Sequence, residues 1–274
     1  MVYKKVVSRF FKEHFFDQAA QTAYYLLLSM LPFLIFIFSL LSLFMVNEEM
    51  LLNFLEPFTP VEAFTLIERS VQVILNKNQG NMIYVSLAGA FWISSMAVQS
   101  LGRSLDLANG DKRRYALWRV LIRDLGITLL FMAVIPLALF LPLIEQVLHH
   151  AMINADSFEI WQGWLYVQPT FRWGMGSLFL FVFFLLFYKV IPTGKMTIRE
   201  VLPGALFSTV GWQLFSLGFV RYVSNVDYTM LYGQLSGIIL LVLWFYSTAV
   251  IILLSGLLNA ECQKDSFRKR RYRK

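Results

Sequence analysis

The residues first consulted for catalysis or metal binding are scarce in this chain: His14, His149, His150 and a lone Cys262. Glu145 and His149 stand at i, i+4, a spacing that puts both on one helical face and that zinc uses. A third ligand is missing, however, and a single such pair does not hold the metal. One cysteine forms no intrachain disulfide and no thiolate cluster. There is no Ser-His-Asp set, glycine-rich phosphate loop or H-E-x-x-H. The expectation is a protein with no catalytic residues, no metal and no cofactor.

The polar residues set inside long apolar stretches are more informative. Hydrocarbon penalises such groups, so they face a cavity or a partner. Tyr24, Tyr25, Ser29, Trp92, Ser95, Gln99, Trp212 and Gln213 are the candidate lining of a cavity. Asp17, Arg103, Asp106, Arg123 and Asp124 would set the charge of its cytoplasmic mouth, and Asp227 and Tyr228 would sit at the outer one. Two readings stay open for Arg103–Asp106 and Arg123–Asp124: salt bridges across helices, or the rim of a vestibule.

The elements that must position these residues follow from composition. Of 274 residues, 58% are hydrophobic and only 15% charged, whereas soluble domains are about a quarter charged. Thr22–Val46 carries no charge over 25 residues, and about 20 suffice to cross a bilayer. The basic residues before it resemble a signal peptide, but an h-region is shorter and ends at a small-residue cleavage site. The chain reads as an all-α, polytopic membrane protein with spans at about 22–46, 83–102, 121–148, 174–192, 201–222 and 236–258.

Charge placement orients those spans. Of the 24 Lys and Arg, 20 fall in alternate segments. These are the N-terminus (Lys4, Lys5, Arg9, Lys12), the 103–123 connection, the Lys189–Arg199 connection and the tail from Lys264. The other segments hold only Arg69, Lys77, Arg172 and Arg221. Under the positive-inside rule this places both termini in the cytoplasm. The net charge of +7 is then topological and lipid-directed, and no nucleic-acid partner is expected.

Residues 1–16 alternate apolar pairs with Lys and Arg, the pattern of a basic amphipathic helix lying at the interface against anionic lipid; it serves either lipid sensing or gating, or simple anchoring of the first span. The tail, 262–274, would be attracted to the same surface. The acidic outer loop, 47–82, carries helical spacing over 61–75. The 149–173 loop holds an aromatic belt of Trp161, Trp164, Tyr166 and Trp173. Pro32, Pro136 and Pro142 are expected to kink their helices. Gly204, Ser208, Gly211 and Gly218 form a small-residue stripe, and Gly233 and Gly237 a second G-x-x-x-G, both suited to close helix packing. Membrane lipids, anionic ones above all, are the expected partners. The transported substrate and the oligomeric state are not readable.

Several stretches together resemble the YihY/virulence factor BrkB family of bacterial inner-membrane proteins, once mislabelled ribonuclease BN. They are DQAAQTAYYLLLSMLP (17–32), W-x-S (92–94), VLPGALFSTVGWQLFSLGFVRYVSN (201–225) and YGQLSGIILLVLWFYSTAVIILLSGLLNAE (232–261). The resemblance implies six membrane helices with cytoplasmic termini and a transport or envelope role. Two positions depart from the family's pattern. An acidic residue expected just after Gly256 is absent, with Glu261 one turn later in its stead, and Asp106 stands where an asparagine is expected. Function is therefore expected to be that of a transporter, permease or lipid-translocating protein; the alternatives are an envelope scaffold and, last, a membrane-tethered ribonuclease.

Overall fold

The computed structural model describes residues 2–43, 80–110, 118–132, 174, 176–194, 196–225 and 233–271. Every regular element among them is helical. They are α1 (Val2–Lys12), α2 (Phe15–Leu43), α3 (Gly80–Asn109), α4 (118–132), α5 (Gly176–Val190), α6 (Ile198–Asn225) and α7 (Ser236–Arg271), with a 3-10 turn at Gly233–Leu235. Helices α2, α3 and α6 have 29, 30 and 28 residues, each longer than the roughly 20 that cross a bilayer. Among the described residues, Ser236–Lys264 in α7 is long and apolar enough to cross a membrane by length and composition, and α5 is a shorter apolar helix.

Local chemistry sets the helix ends. Glu200 caps the start of α6, its Oε2 accepting the Thr197 N–H at 2.8 Å as in one half of a capping box, while the Thr197 carbonyl accepts the Glu200 N–H at 3.0 Å in the first backbone turn. Gly110 closes α3 with φ of 73°, its N–H donating to the Leu107 carbonyl at 3.0 Å. Only glycine takes that left-handed cap without a Cβ penalty. Helix α2 runs through Pro32 without interruption.

The chain forms two compact units. One comprises residues 15–100 and 215–250. There Thr22 and Ser100 share a hydroxyl–hydroxyl hydrogen bond of 3.0 Å, and a methyl group on Gly89 would rest 3.8 Å from Pro32 Cβ. Positions advancing along α2 meet positions receding along α3, so the two helices pack antiparallel. Phe215 and Phe219 of α6 meet Trp244 of α7, with ring centroids 5.6 and 5.2 Å apart.

The other unit comprises residues 1–14, 101–214 and 251–274. Its core gathers Val6, Phe10, Leu105, Phe187, Tyr188, Val201, Ala205, Leu253 and Leu257, all buried. Leu206, Val210 and Leu214 leave one face of α6 exposed and apolar, a disposition suited to lipid contact rather than water.

Of the expected small-residue stripe, the first half packs. Gly204 and Ser208 are buried, and a Cβ on Gly211 would lie 3.5 Å from Ile251. A Cβ on Gly218, Gly233 or Gly237 would meet nothing within 4 Å among the described residues. Gly233 serves its turn instead, with φ of 54°. Pro136 and Pro142, the loops at 47–79 and 149–173, and the Glu145–His149 pair lie outside the described residues.

Candidate functional site

Unit 1–14, 101–214 and 251–274 holds a polar core built around ten residues of α7, Ile252–Glu261. Three knots tie other elements to it or beside it.

Arg9 makes the first knot. Its Nε and Nη2 donate to the two carboxylate oxygens of Glu13 at 2.7 and 2.9 Å, its Nη1 donates to Glu261 Oε1 at 2.8 Å, and its Nη2 also reaches the Ala108 carbonyl at 3.0 Å. Ala108 lies in the last turn of α3, where carbonyls have no partner within the helix and attract cations. One guanidinium fork therefore joins α1, α3 and α7. The Glu13 hydrogen bond, with its charge and that of Glu261, raises the Arg9 pKa above its ordinary value despite the opposing pull of burial. Lys264 Nζ stands 3.5 Å from the same Glu261 oxygen. Glu261, which the resemblance offered as a displaced acid, is a buried anchor for α1.

Asp106 makes the second. Buried on α3, it accepts the Thr193 backbone N–H at 2.7 Å, so it fixes the turn that follows α5. Arg123 donates to Asp124, its neighbour on α4, through Nε at 3.1 Å and Nη2 at 2.6 Å. Arg123 and Asp124 thus form an ion pair within one helix.

The third knot pins α5 and α6 to α7. Tyr188 is fully buried, and its hydroxyl donates to the Ile252 carbonyl at 2.8 Å. A phenol has one proton to give, so the 2.6 Å contact with Ser208 is a bond donated by the serine. Four residues earlier on α6, Gly204 donates its backbone N–H to Asn259 Oδ1 at 2.6 Å. Pro203, just before it, has no N–H to give the helix.

The expected cavity lining is divided between units. Tyr24, Tyr25, Ser29, Trp92, Ser95 and Gln99 fall in one, Trp212 and Gln213 in the other. Ser29 and Ser95 are buried, and their hydroxyls donate to the carbonyls of Leu26 and Trp92, three residues back, at 2.8 and 2.7 Å. Each hydroxyl thus finds its acceptor within its own helix. Tyr24 and Trp92 are exposed, and Tyr24 lies against Tyr25. Gln213 Nε2 donates to Ser177 Oγ at 2.7 Å, which joins α6 to α5. Asp17 and Arg103 are exposed. Asp227 and Tyr228 lie outside the described residues.

Tyr188, Thr193 and Asn259 were not singled out from the sequence. Asn259 carried a readable signal, an amide in the closing turns of an apolar helix; Thr193 and Tyr188 carried none. Among the described residues, Asn109 Oδ1, Thr193 Oγ1 and Asn259 Nδ2 are buried atoms of this unit with no hydrogen-bond partner. Among the described residues, no group of three or more His, Cys, Asp and Glu gathers as metal ligands do.

The family model described as virulence factor BrkB matches residues 6–274. The ribonuclease-like protein YfkH of Bacillus subtilis (strain 168) is 30% identical over 262 residues, which is 95% of this chain and 94% of that protein. A UPF0761 membrane protein of Xanthomonas campestris pv. campestris (strain B100) is 28% identical over 257 residues, covering 90% of this chain. Another, from Xanthomonas axonopodis pv. citri (strain 306), matches to the same degree. The chain spans 57% and 58% of the length of these two. No solved structure matches the chain. With a model covering nearly every residue, and a helix apolar enough to cross a bilayer, the chain belongs to the virulence factor BrkB family of bacterial inner-membrane proteins.

Proposed function

We propose that this protein moves a lipid or a small polar solute across the membrane, through six spans with both termini in the cytoplasm. The observation that carries the reading is the set of unmatched polar atoms in the core of unit 1–14, 101–214 and 251–274. Among the described residues, Asn109 Oδ1, Thr193 Oγ1 and Asn259 Nδ2 are shielded from solvent without a protein partner. A purely structural interior pairs its buried polar groups, and each buried orphan costs about 1–3 kcal/mol. Polar groups kept at that cost suit a path on which water, headgroups or solute hydrogen-bond in passing. The reading is non-enzymatic.

The test uses the full chain, extracted in native lipid patches and analysed by mass spectrometry for the lipids and solutes it retains. It is then reconstituted into vesicles to measure flux of those molecules. Flux above protein-free vesicles, reduced by Thr193→Val or Asn259→Leu in folded protein, supports the reading. Flux equal to that of empty vesicles for every retained molecule rejects it.

A second reading, an envelope scaffold, draws on one feature. Helix α7 continues without a break past the apolar segment to Arg271, bringing Lys264, Arg268, Lys269, Arg270 and Arg271 onto a helical extension. Deleting residues 264–274 separates the two: a scaffold loses its partners, whereas a transporter keeps its flux. A ribonuclease-like role, suggested by the name of the Bacillus protein, stands last. It requires RNA cleavage by purified protein that falls when Asp106 or Glu261 is neutralised.

A further inference from the structure

Helix α1 has three faces, one packed and two exposed. Val6, Phe10 and Arg9 form the packed face, with both apolar side chains buried and Arg9 tied to Glu261 and Ala108. Tyr3, Val7 and Phe11, at i, i+4 and i+8, form a second stripe that is 69%, 52% and 62% exposed. Lys4, Lys5, Ser8 and Lys12 complete the third, and all are exposed. A helix resting in water would not display three large apolar side chains in one line beside three lysines. A helix lying at a bilayer surface would, with the rings and valine among the acyl chains and the lysines among the phosphates.

The geometry points to α1 as a docking surface for an anionic phospholipid bilayer, held at a fixed height by Arg9. The occupant is identified by charge and depth together. The lysines leave α1 no compensating acid on its exposed faces, since its neighbour Glu13 is engaged by Arg9. Arg9 is not spent on lipid: its fork is filled by Glu13, Glu261 and the Ala108 carbonyl. The apolar stripe and the lysines therefore face outward as one unit while the packed face is fixed to α3 and α7. This surface is independent of whether any solute crosses the membrane.

The test places an environment-sensitive fluorophore at Val7→Cys, in a full chain carrying Cys262→Ser. The protein is reconstituted in phosphatidylcholine vesicles or in an equal mixture with phosphatidylglycerol. The expected result is bluer, brighter emission in the anionic vesicles, reversed by salt that screens surface charge. A probe at Ser8→Cys, on the lysine side, should remain in a polar setting in both. Replacing Lys4, Lys5 and Lys12 by Gln should weaken the attraction to the anionic surface by roughly a hundredfold, at about fivefold for each cation, read as loss of the emission difference between the two lipids. Equal emission in both lipids, or equal depth for Val7 and Ser8, overturns the proposal. So does emission that follows protein density rather than lipid composition, which would assign the stripe to a second copy. Hydrogen exchange over residues 2–12 in the unmodified protein repeats the comparison without a label: slower exchange in anionic vesicles is expected, and unchanged exchange counts against the surface.

Discussion

Gly204 gives its backbone N–H to Asn259 Oδ1 at 2.6 Å, and α6 approaches α7 so closely there that a β-carbon on Gly204 would fall within 2.5 Å of both Asn259 Oδ1 and the Ser255 carbonyl. One of those obstacles is backbone and does not rotate away. The missing side chain at 204 and the amide at 259 are two halves of one contact. Gly204→Ala should therefore destabilise the purified protein by about 1–3 kcal/mol, the range for overpacking a filled interior, read as a lower unfolding temperature in detergent. Gly218→Ala, on the same helix with no neighbour within 4 Å of the new methyl group among the described residues, should leave that temperature unchanged within a degree or so of measurement, as expected of an unpacked helical site.

How much of this was legible beforehand differs by kind of contact. The helices showed in the runs of apolar residues, and the packing of Gly204, Ser208 and Gly211 showed in their spacing, because both properties repeat along a single helix. The knots did not, because each is a meeting of distant positions. Arg9 and Glu261 are separated by 252 residues, and Asp106 and Thr193 by 87. Periodicity has no reach over such intervals. Where the sequence did mark a polar residue, it marked its cost in an apolar setting but not its partner. Ser29 and Ser95 solve that cost within their own helix, and Gln213 solves it on Ser177.

The Arg9 fork separates charge from geometry. Arg9→Lys keeps the charge but loses the planar donors that reach Glu13, Glu261 and Ala108 together. Arg9→Gln should cost about 2–4 kcal/mol, somewhat less than a deeply buried broken pair, because Lys264 stands 3.5 Å from Glu261 and takes up part of its charge. Arg9→Lys should fall between wild type and Gln. Adding Glu261→Gln to Arg9→Gln should restore part of the loss, since no carboxylate is then stranded. Chemical denaturation of the three variants checks the order.

The pH dependence of that fork follows in sign from the raised Arg9 pKa. A cation whose folded-state pKa lies above its unfolded value contributes in full below the unfolded value, and loses that contribution only as pH rises through the folded one. The charge of Arg9 is therefore constant over the working range, and the stability gap between wild type and Arg9→Gln should not be narrowed by Arg9 titration between about pH 6 and 9. A gap that closes in that window would place the pH-sensitive group elsewhere.

Asp106 separates the need for an acceptor from the need for a charge. The Thr193 N–H needs an acceptor at 2.7 Å, and an amide oxygen serves as well as a carboxylate oxygen in that capacity. Asp106→Asn should fold and complement a deletion strain like wild type. Asp106→Leu leaves a backbone donor unmatched and should lose about 1–3 kcal/mol. If Asp106→Asn abolishes function in folded protein, the carboxylate charge is itself required, and the residue is more than a holder of the turn after α5.

Tyr188 and Ser208 are predicted to be coupled. Tyr188→Phe removes the donor to the Ile252 carbonyl and the acceptor for the serine hydroxyl in one step. It should cost about 1–3 kcal/mol, the penalty for stranded buried groups. Ser208→Ala alone should cost less, because the phenol keeps its bond to Ile252. The double variant should be less unstable than the two single losses added together, by at least about 0.5 kcal/mol, as residues sharing one network are. Additive losses would mean that the serine does not depend on the phenol.

The last contact concerns size rather than polarity. A β-carbon on Gly256 would collide with Leu105 Cδ2 while lying 3.8 Å from Tyr188 Cε1. Unlike the obstacle at Gly204, this one is the tip of a side chain, although a buried one. Leu105 is 2% exposed and Tyr188 1%, so neither has solvent to move into. Gly256→Ala should accordingly destabilise, and Leu105→Ala should do so by leaving a cavity, at about 2–5 kcal/mol. Combined, the new methyl group occupies part of the space the leucine vacates, so the double variant should be more stable than Leu105→Ala alone. Unfolding of the three variants in one detergent decides it: if the double variant is the least stable, α3 and α7 do not meet at these two residues.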